Sequence, residues 1–264
     1  EIVISPISEC ALYKVNIFQF IAFFNSSIIM IVKIIGLIPA RFESNRFPGK
    51  PLELIEGIPM FAHVYFRSKL ANLDEVYVCT DSSKILTKAK ELKIPVILTS
   101  KNHKNGTDRC AEAVSKLSLN KSSLVLNIQG DEPLIKPSII NKLIKNFDPV
   151  NMDILFPYLE INKRESLGYV KIVSNRKNKV LYMSRFDVPK DFRKKVVLKS
   201  QVGITMFTQK ALRIFSEYKS ENEHIEGIEL LRVLETNLNM YCFKTITSSK
   251  SVDYPEDLEF VRKV

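Results

Sequence analysis

The chain of 264 residues has only four cysteines and three histidines, and neither set is arranged for metal or disulfide chemistry. Cys10, Cys79, Cys110 and Cys242 include no C-x-x-C pair, and His63, His103 and His224 do not cluster with them. This argues against a zinc site or a secreted disulfide framework and favours a reducing compartment. Glycine and proline are also few, at 8 and 12 residues, so there is no collagen-like or low-complexity bias. No segment recurs at the spacing of a solenoid or propeller. With 45% hydrophobic and 26% charged residues the chain is not disordered, and its length suits one large domain or two small ones.

Dense basic tracts are missing too, although the net charge is +10. The densest run, Arg193-Lys194-Lys195, is short, and elsewhere lysines alternate with acids, as over residues 88–93. A nucleic-acid-binding protein gathers cations on one face to neutralise phosphates. Scattered charges read instead as a solvated surface, and a small anionic substrate needs only a few cations. The strongest apolar run, NIFQFIAFFNSSIIMIV over residues 16–32, is barely long enough for a bilayer span and is broken by Gln19, Asn25, Ser26 and Ser27. Acids at Glu1 and Glu9 and the lack of an A-x-A site speak against a signal peptide. Residues 1–29 are therefore expected to be an extension outside the fold, with an anchor as the alternative, and a single domain is expected over 30–264.

From Met30 onward, short β-branched runs alternate with helical patterns. IVKIIGLI (31–38) is a strand buried on both faces, MFAHVYFRSKLANL a helix, EVYVCT a strand, SKILTKAKELK a helix and PVILT a strand. NGTDRCAEAVSKL forms the next helix, with Asn105 or Thr107 near its cap, and SLVLNI runs into QGDEPLI. This alternation predicts an α/β fold in three layers, a mostly parallel mixed sheet with helices on both faces. Ligands bind such sheets outside the carboxyl ends of their strands, and the unusual polar clusters fall there. Further on, DILFPYLEI, YVKIVSN and VLYMSRF read as strands that extend the sheet antiparallel, EHIEGIELLRVLETN reads as one helix, and YCFKTI reads as a closing strand. Pro255 opens the last helix, just after Asp253.

Arg41, Arg46 and Lys50 share one loop after the first strand, three cations within ten residues, as a triphosphate needs. The loop is not a P-loop, because Gly49 has no glycine partner five residues earlier and Lys50 precedes Pro51. Asp131 ends an apolar strand, where a carboxylate is costly unless it is hydrogen-bonded or holds a cation. Mg²⁺ takes one or two carboxylates plus phosphate oxygens, and Asp253 is the candidate second acid; as a plain turn or N-cap residue it has an ordinary alternative role.

The strings KIIGLIPARFESNRFPGKPL, VYVCTD, NGTDRCAEA, VLNIQGDEPLI, LYMSR, EHIEGIELLR and SVDYPEDLE, in that order, closely resemble the 3-deoxy-manno-octulosonate (Kdo) cytidylyltransferases. The likeness covers nearly everything from Met30 to the end. Sialic-acid cytidylyltransferases look like IPAR-x-x-S-K at the first loop, and uridylyl- and guanylyltransferases carry G-x-G-T-R there. The resemblance implies a nucleotide-diphospho-sugar transferase fold and a cytoplasmic homodimer, with residues 151–245 serving sugar binding and dimerisation. The implied reaction is CTP plus Kdo giving CMP-Kdo and pyrophosphate, a step towards lipopolysaccharide. By position, Ala40, Arg41, Arg46 and Lys50 would hold CTP, and Thr80, Asp81, Gly106, Thr107 and Arg109 would shape the cytidine side. Asp131 and Asp253 would ligate Mg²⁺. Gln129, Tyr182, Arg185, Gln201 and Glu229 would face the sugar acid, and Arg41, Lys50 and Asp131 would carry the chemistry. Catalysis would consist mainly of positioning an in-line attack on the α-phosphorus and neutralising developing charge, without a histidine base. Three positions depart from the family pattern: Gln201 replaces a histidine, Leu230 a glutamine and Gly168 an asparagine. All three fall on the sugar half, so a related 2-keto-3-deoxy sugar acid is the alternative substrate, and a non-catalytic nucleic-acid-binding protein the alternative from another class.

Overall fold

The computed structural model describes residues 32–43, 46–162, 167–247 and 249–264; the expected extension over 1–29 lies outside the described residues. IIGLIP forms β1 (Ile34–Pro39), whose apolar side chains are buried on both faces, as only a central strand allows. A 3₁₀ turn at Lys50–Leu52 leads to a hairpin of β2 (Leu54–Ile55) and β3 (Ile58–Pro59), then α1 (Met60–Lys69). Next come β4 (Glu75–Thr80), α2 (Ser83–Glu91), β5 (Val96–Leu98), α3 (Gly106–Lys116), β6 (Leu124–Ile128) and α4 (Pro137–Asn146). Asn105, not Thr107, caps α3, its side chain accepting the Asp108 N–H.

The order β5-β4-β1-β6 is parallel throughout. The chain winds outward from β1 to β5 and then crosses back through α3 to β6, so the winding reverses between β1 and β6. Their carboxyl ends open the crevice in which such sheets take ligands. Ile34 and Ile38 pack with α1, α2 and α4 on one face. Ile35 and Leu37 pack on the other face with α3 and with α5 (Gln209–Glu217), which follows the strands described next.

The second half adds β7 (Ile154–Ile161), β8 (Lys171–Ser174), β9 (Val180–Ser184), β10 (Leu198–Gln201) and β11 (Ile204–Thr208). β10 and β11 follow one antiparallel path along β7, but the register shifts by two residues at Val202–Gly203: Gln201 faces Tyr158, whereas Met206 faces Leu155. Before the shift the path pairs with β8, and after it with β6. The sheet therefore splits beside the reversal crevice. The expected antiparallel extension holds, and the closing strand, β12 (Met240–Lys244), runs parallel to β7.

The single helix expected over 223–237 is two. α6 (Glu221–Glu226) ends at Gly227 in the left-handed region (φ 64°), and α7 (Leu231–Leu234) follows. Burial of Ile228, Leu230 and Leu231 outweighs helical continuity, and glycine permits the turn. α8 (Pro255–Arg262) starts at Pro255 as expected and packs Leu258 and Val261 on Ile55, Met60 and Val252. Among the described residues no helix is long and apolar enough to cross a membrane.

Candidate active site

A cavity of about 1420 Å³ opens where the sheet splits. Gln129, Asp131, Gln201, Arg185 and Glu229 line it, with Arg46 and Asp253 at one end. Gly130 sits so close to β1 that a Cβ would stand 2.5 Å from the Pro39 carbonyl oxygen. A side chain there would drive β6 from β1 and move Asp131.

At that end two aspartates and two cations interlock. Lys50 Nζ lies 2.8 Å from Asp131 Oδ2 and donates to the Val252 carbonyl at 2.6 Å. The Val252 N–H donates to the Asp131 carbonyl at 2.9 Å, which brings the backbone before Asp253 beside Asp131. Arg46 reaches Asp253 at 2.9 Å. Asp253 does not cap α8; Asp257 accepts the N–H groups of Asp253 and Tyr254, leaving the Asp253 carboxylate turned to Arg46. Each carboxylate is matched by one positive charge, a pair that suits a divalent cation completed by phosphate oxygens. Next to them, burial and then the Asp131 charge push Glu132 up to about 8.

The remaining nucleotide-side residues gather at the carboxyl ends of β1 and β4 and the start of α3, outside the cavity lining. Ala40 is buried and its N–H donates to the Cys79 carbonyl. Arg41 contacts the Lys104 carbonyl at 3.5 Å, and Lys104 lines the cavity. Arg109, nearly fully buried, bonds Asp81 at 2.9 Å and the Thr99 hydroxyl at 2.5 Å. Thr80 is buried, its Oγ1 accepting the Ser82 N–H. Gly106 packs on Pro39, so α3 starts close against β1.

On the sugar side, Asn127 donates to the Thr107 hydroxyl at 2.8 Å, which donates to Glu229 at 2.7 Å. Thr107, expected on the nucleotide side, is thus bonded to Glu229, expected on the sugar side. Burial raises the Glu229 carboxyl, and the Thr107 hydrogen bonds oppose that rise. The Gly227 break is what lets Glu229 leave helical register and meet Thr107. Arg185 holds the Leu167 and Gly227 carbonyls at 3.2 and 3.1 Å. Tyr182 is not brought to the cavity: it lies on β9, 41% exposed. Of the three departures, Gln201 and Gly168 line the cavity, and Leu230 lines it while being 1% exposed, so that swap is largely a core change. Sequence reasoning missed Arg232, which binds Asp108 at 2.7 and 3.1 Å and also Glu223, tying α7 to the first turn of α3. Both Asp108 and Arg232 stand inside quoted motifs, and their opposite charges were the available signal. The described cysteines, Cys79, Cys110 and Cys242, are buried free thiols, and burial pushes Cys79 up to about 12, far from a nucleophile.

A family profile described as cytidylyltransferase matches residues 35–246. The chain belongs to the cytidylyltransferase family. A 3-deoxy-manno-octulosonate cytidylyltransferase of Thermodesulfovibrio yellowstonii is 39% identical over 246 residues, 87% of this chain and 96% of that protein. An 8-amino-3,8-dideoxy-manno-octulosonate cytidylyltransferase of Shewanella frigidimarina is 36% identical over 236 residues, 86% and 96% of the two chains. The solved structure of a CMP:2-keto-3-deoxy-manno-octonic acid synthetase complexed with CTP superposes with a TM-score of 0.82 at 32% identity, covering 88% of this chain and 97% of that one. The three-layer arrangement is therefore the nucleotide-diphospho-sugar transferase fold, and the cytidylyltransferase is a nucleotidyl-transferring enzyme, not a non-catalytic nucleic-acid binder.

Proposed function

We propose that this cytidylyltransferase joins CTP and Kdo to give CMP-Kdo and pyrophosphate, with Mg²⁺ held by Asp131 and Asp253, and so activates the sugar for lipopolysaccharide assembly. The observation that carries the reading is the interlocked set Lys50, Asp131, Asp253 and Arg46 at one end of a cavity whose other residues suit a polyhydroxy acid. The metal would neutralise phosphate charge and favour ionisation of the attacking hydroxyl. Lys50 and Arg46 exchange carboxylate partners for phosphate oxygens as the triphosphate enters, and Arg41 joins them from the same loop. Arg109, locked by Asp81, keeps the carboxyl ends of β4 and β5 in place beside the cytosine. Arg185 meets the sugar carboxylate, while Gln129, Gln201 and Glu229 read its hydroxyls. The anomeric hydroxyl attacks the α-phosphorus in line as pyrophosphate leaves.

The enzyme works in the cytoplasm as a homodimer. Leu181 and Phe186 are 56% and 69% exposed on and just after β9, and Phe192 is 91% exposed, apolar side chains that a second copy would cover. Pyrophosphate release from CTP and Mg²⁺ with Kdo, and with the 8-amino analogue in parallel, tests the function. Turnover of Kdo with a higher kcat/KM is the expected result. Preference for the analogue moves the substrate, and no release with either rejects the reading.

A further inference from the structure

The transfer as described makes no use of Lys171, a lysine with no exposed surface in the wall of the sugar half. It opens β8, pairing with Ser184 of β9 and Ser200 of β10. An ammonium so deeply buried is costly unless hydrogen bonds and opposite charge compensate it. Its Nζ donates to the Arg185 carbonyl at 2.6 Å and stands 3.5 Å from Asp187 Oδ1. The ladder between β8 and β9 ends at the Lys171–Ser184 pair, so the carbonyl of the next residue lies beyond it and takes its donor from the lysine. Glu226 holds the same turn, accepting the Arg185 N–H at 3.0 Å and the Ser184 hydroxyl at 2.9 Å.

With the Arg185 backbone held at both ends, its guanidinium bonds, among the described residues, only neutral acceptors, the Leu167 and Gly227 carbonyls. Arg46, Arg109 and Arg232 each face a carboxylate, but among the described residues none pairs with Arg185. A guanidinium that lines a cavity with its charge uncancelled and donors to spare is shaped for an incoming carboxylate.

We propose that Lys171 and Glu226 are positioning residues that hold Arg185 towards the cavity as the receptor for the substrate's carboxylate. The inference rests on the sugar-acid reading of the site. Lys171→Met keeps the length of the buried side chain but removes the donor. In pyrophosphate-release kinetics it should raise KM for Kdo about tenfold, as loss of a positioned hydrogen bond to a charged group predicts, while KM for CTP stays within about twofold. If that variant does not fold, Glu226→Ala, at a partly exposed helix end, should raise the same KM and spare the CTP value. A Kdo KM that does not move, or one that rises in step with the CTP KM alongside a lower melting temperature, assigns both residues to general stability and overturns the inference. Failure of the unsubstituted enzyme to use Kdo is a different result: it removes the substrate reading and the inference with it.

Discussion

Lys50 is 12% exposed on its side chain and touches both the Asp131 carboxylate and the Val252 carbonyl, so one ammonium joins the first loop, the end of β6 and the approach to α8. Lys50→Met should lower kcat/KM for pyrophosphate release by about 100-fold or more, the scale of a lost charge-stabilising donor. A comparable loss from a surface lysine such as Lys88, which pairs with Glu91, would remove the special role of Lys50. A second residue-scale effect belongs to stability. Burial alone would raise the Glu112 carboxyl above 4.5, but the Lys116 ammonium, the Ser100 N–H and the His103 ring outweigh it and hold it down to about 2. A carboxyl held below its unfolded value adds stability that is full above about pH 4.5 and is lost as pH falls towards 2. Glu112→Gln should therefore lower the melting temperature at neutral pH, by about 2–4 °C for each kcal/mol lost. The gap to the unsubstituted enzyme should close on acid titration, and a gap independent of pH would mean a packing effect instead.

The site depends on where elements stop. Just past the end of β6, Gly130 lies against the end of β1, and the contact leaves no room for a methyl group. Gly130→Ala should cost about 1–3 kcal/mol of stability as an overpacked contact. Because Asp131 follows directly, KM for CTP should rise as well, and calorimetry combined with kinetics would separate the two effects. Unchanged KM with lowered stability would show that the Asp131 corner tolerates the shift. The Gly227 break was not legible in the apolar period of EHIEGIELLR, which suits one continuous helix. Only the competition between α6 and the burial of Ile228 and Leu230 ends it, and that break sets Glu229 against Thr107. α4 and α5 were also not singled out from the sequence. α5 is capped by Thr208 accepting the Ala211 N–H, a common pattern with little power until its neighbours are known.

For the molecule as a whole, the exposed apolar side chains around β9 give the proposed dimer a measurable form. At micromolar concentration the enzyme should sediment at twice its mass of 30.3 kDa. Replacing both Phe186 and Phe192 by serine should shift it towards the monomer, whereas a monomer before substitution would reject the assembly. Tyr182 lies on this same strand and outside the cavity, a separation that motif position did not reveal.

The sequence alone determined the layered α/β architecture, the first central strand, the polar clusters at strand ends and the family, because buried strands need unbroken apolar runs and phosphate chemistry needs cations on short loops. It also put Asp131 and Asp253 forward as one candidate pair although they lie 122 residues apart, and the Val252 N–H to Asp131 carbonyl bond brings their backbones together. Tertiary structure alone decided that β10 and β11 split between β8 and β6, and so where the cavity opens. It decided as well that Thr107 serves Glu229, that Arg232 ties α7 to α3 and that Lys171 is wholly buried. Each of these rests on contacts between distant segments, whose energies depend on burial and register that no local pattern encodes.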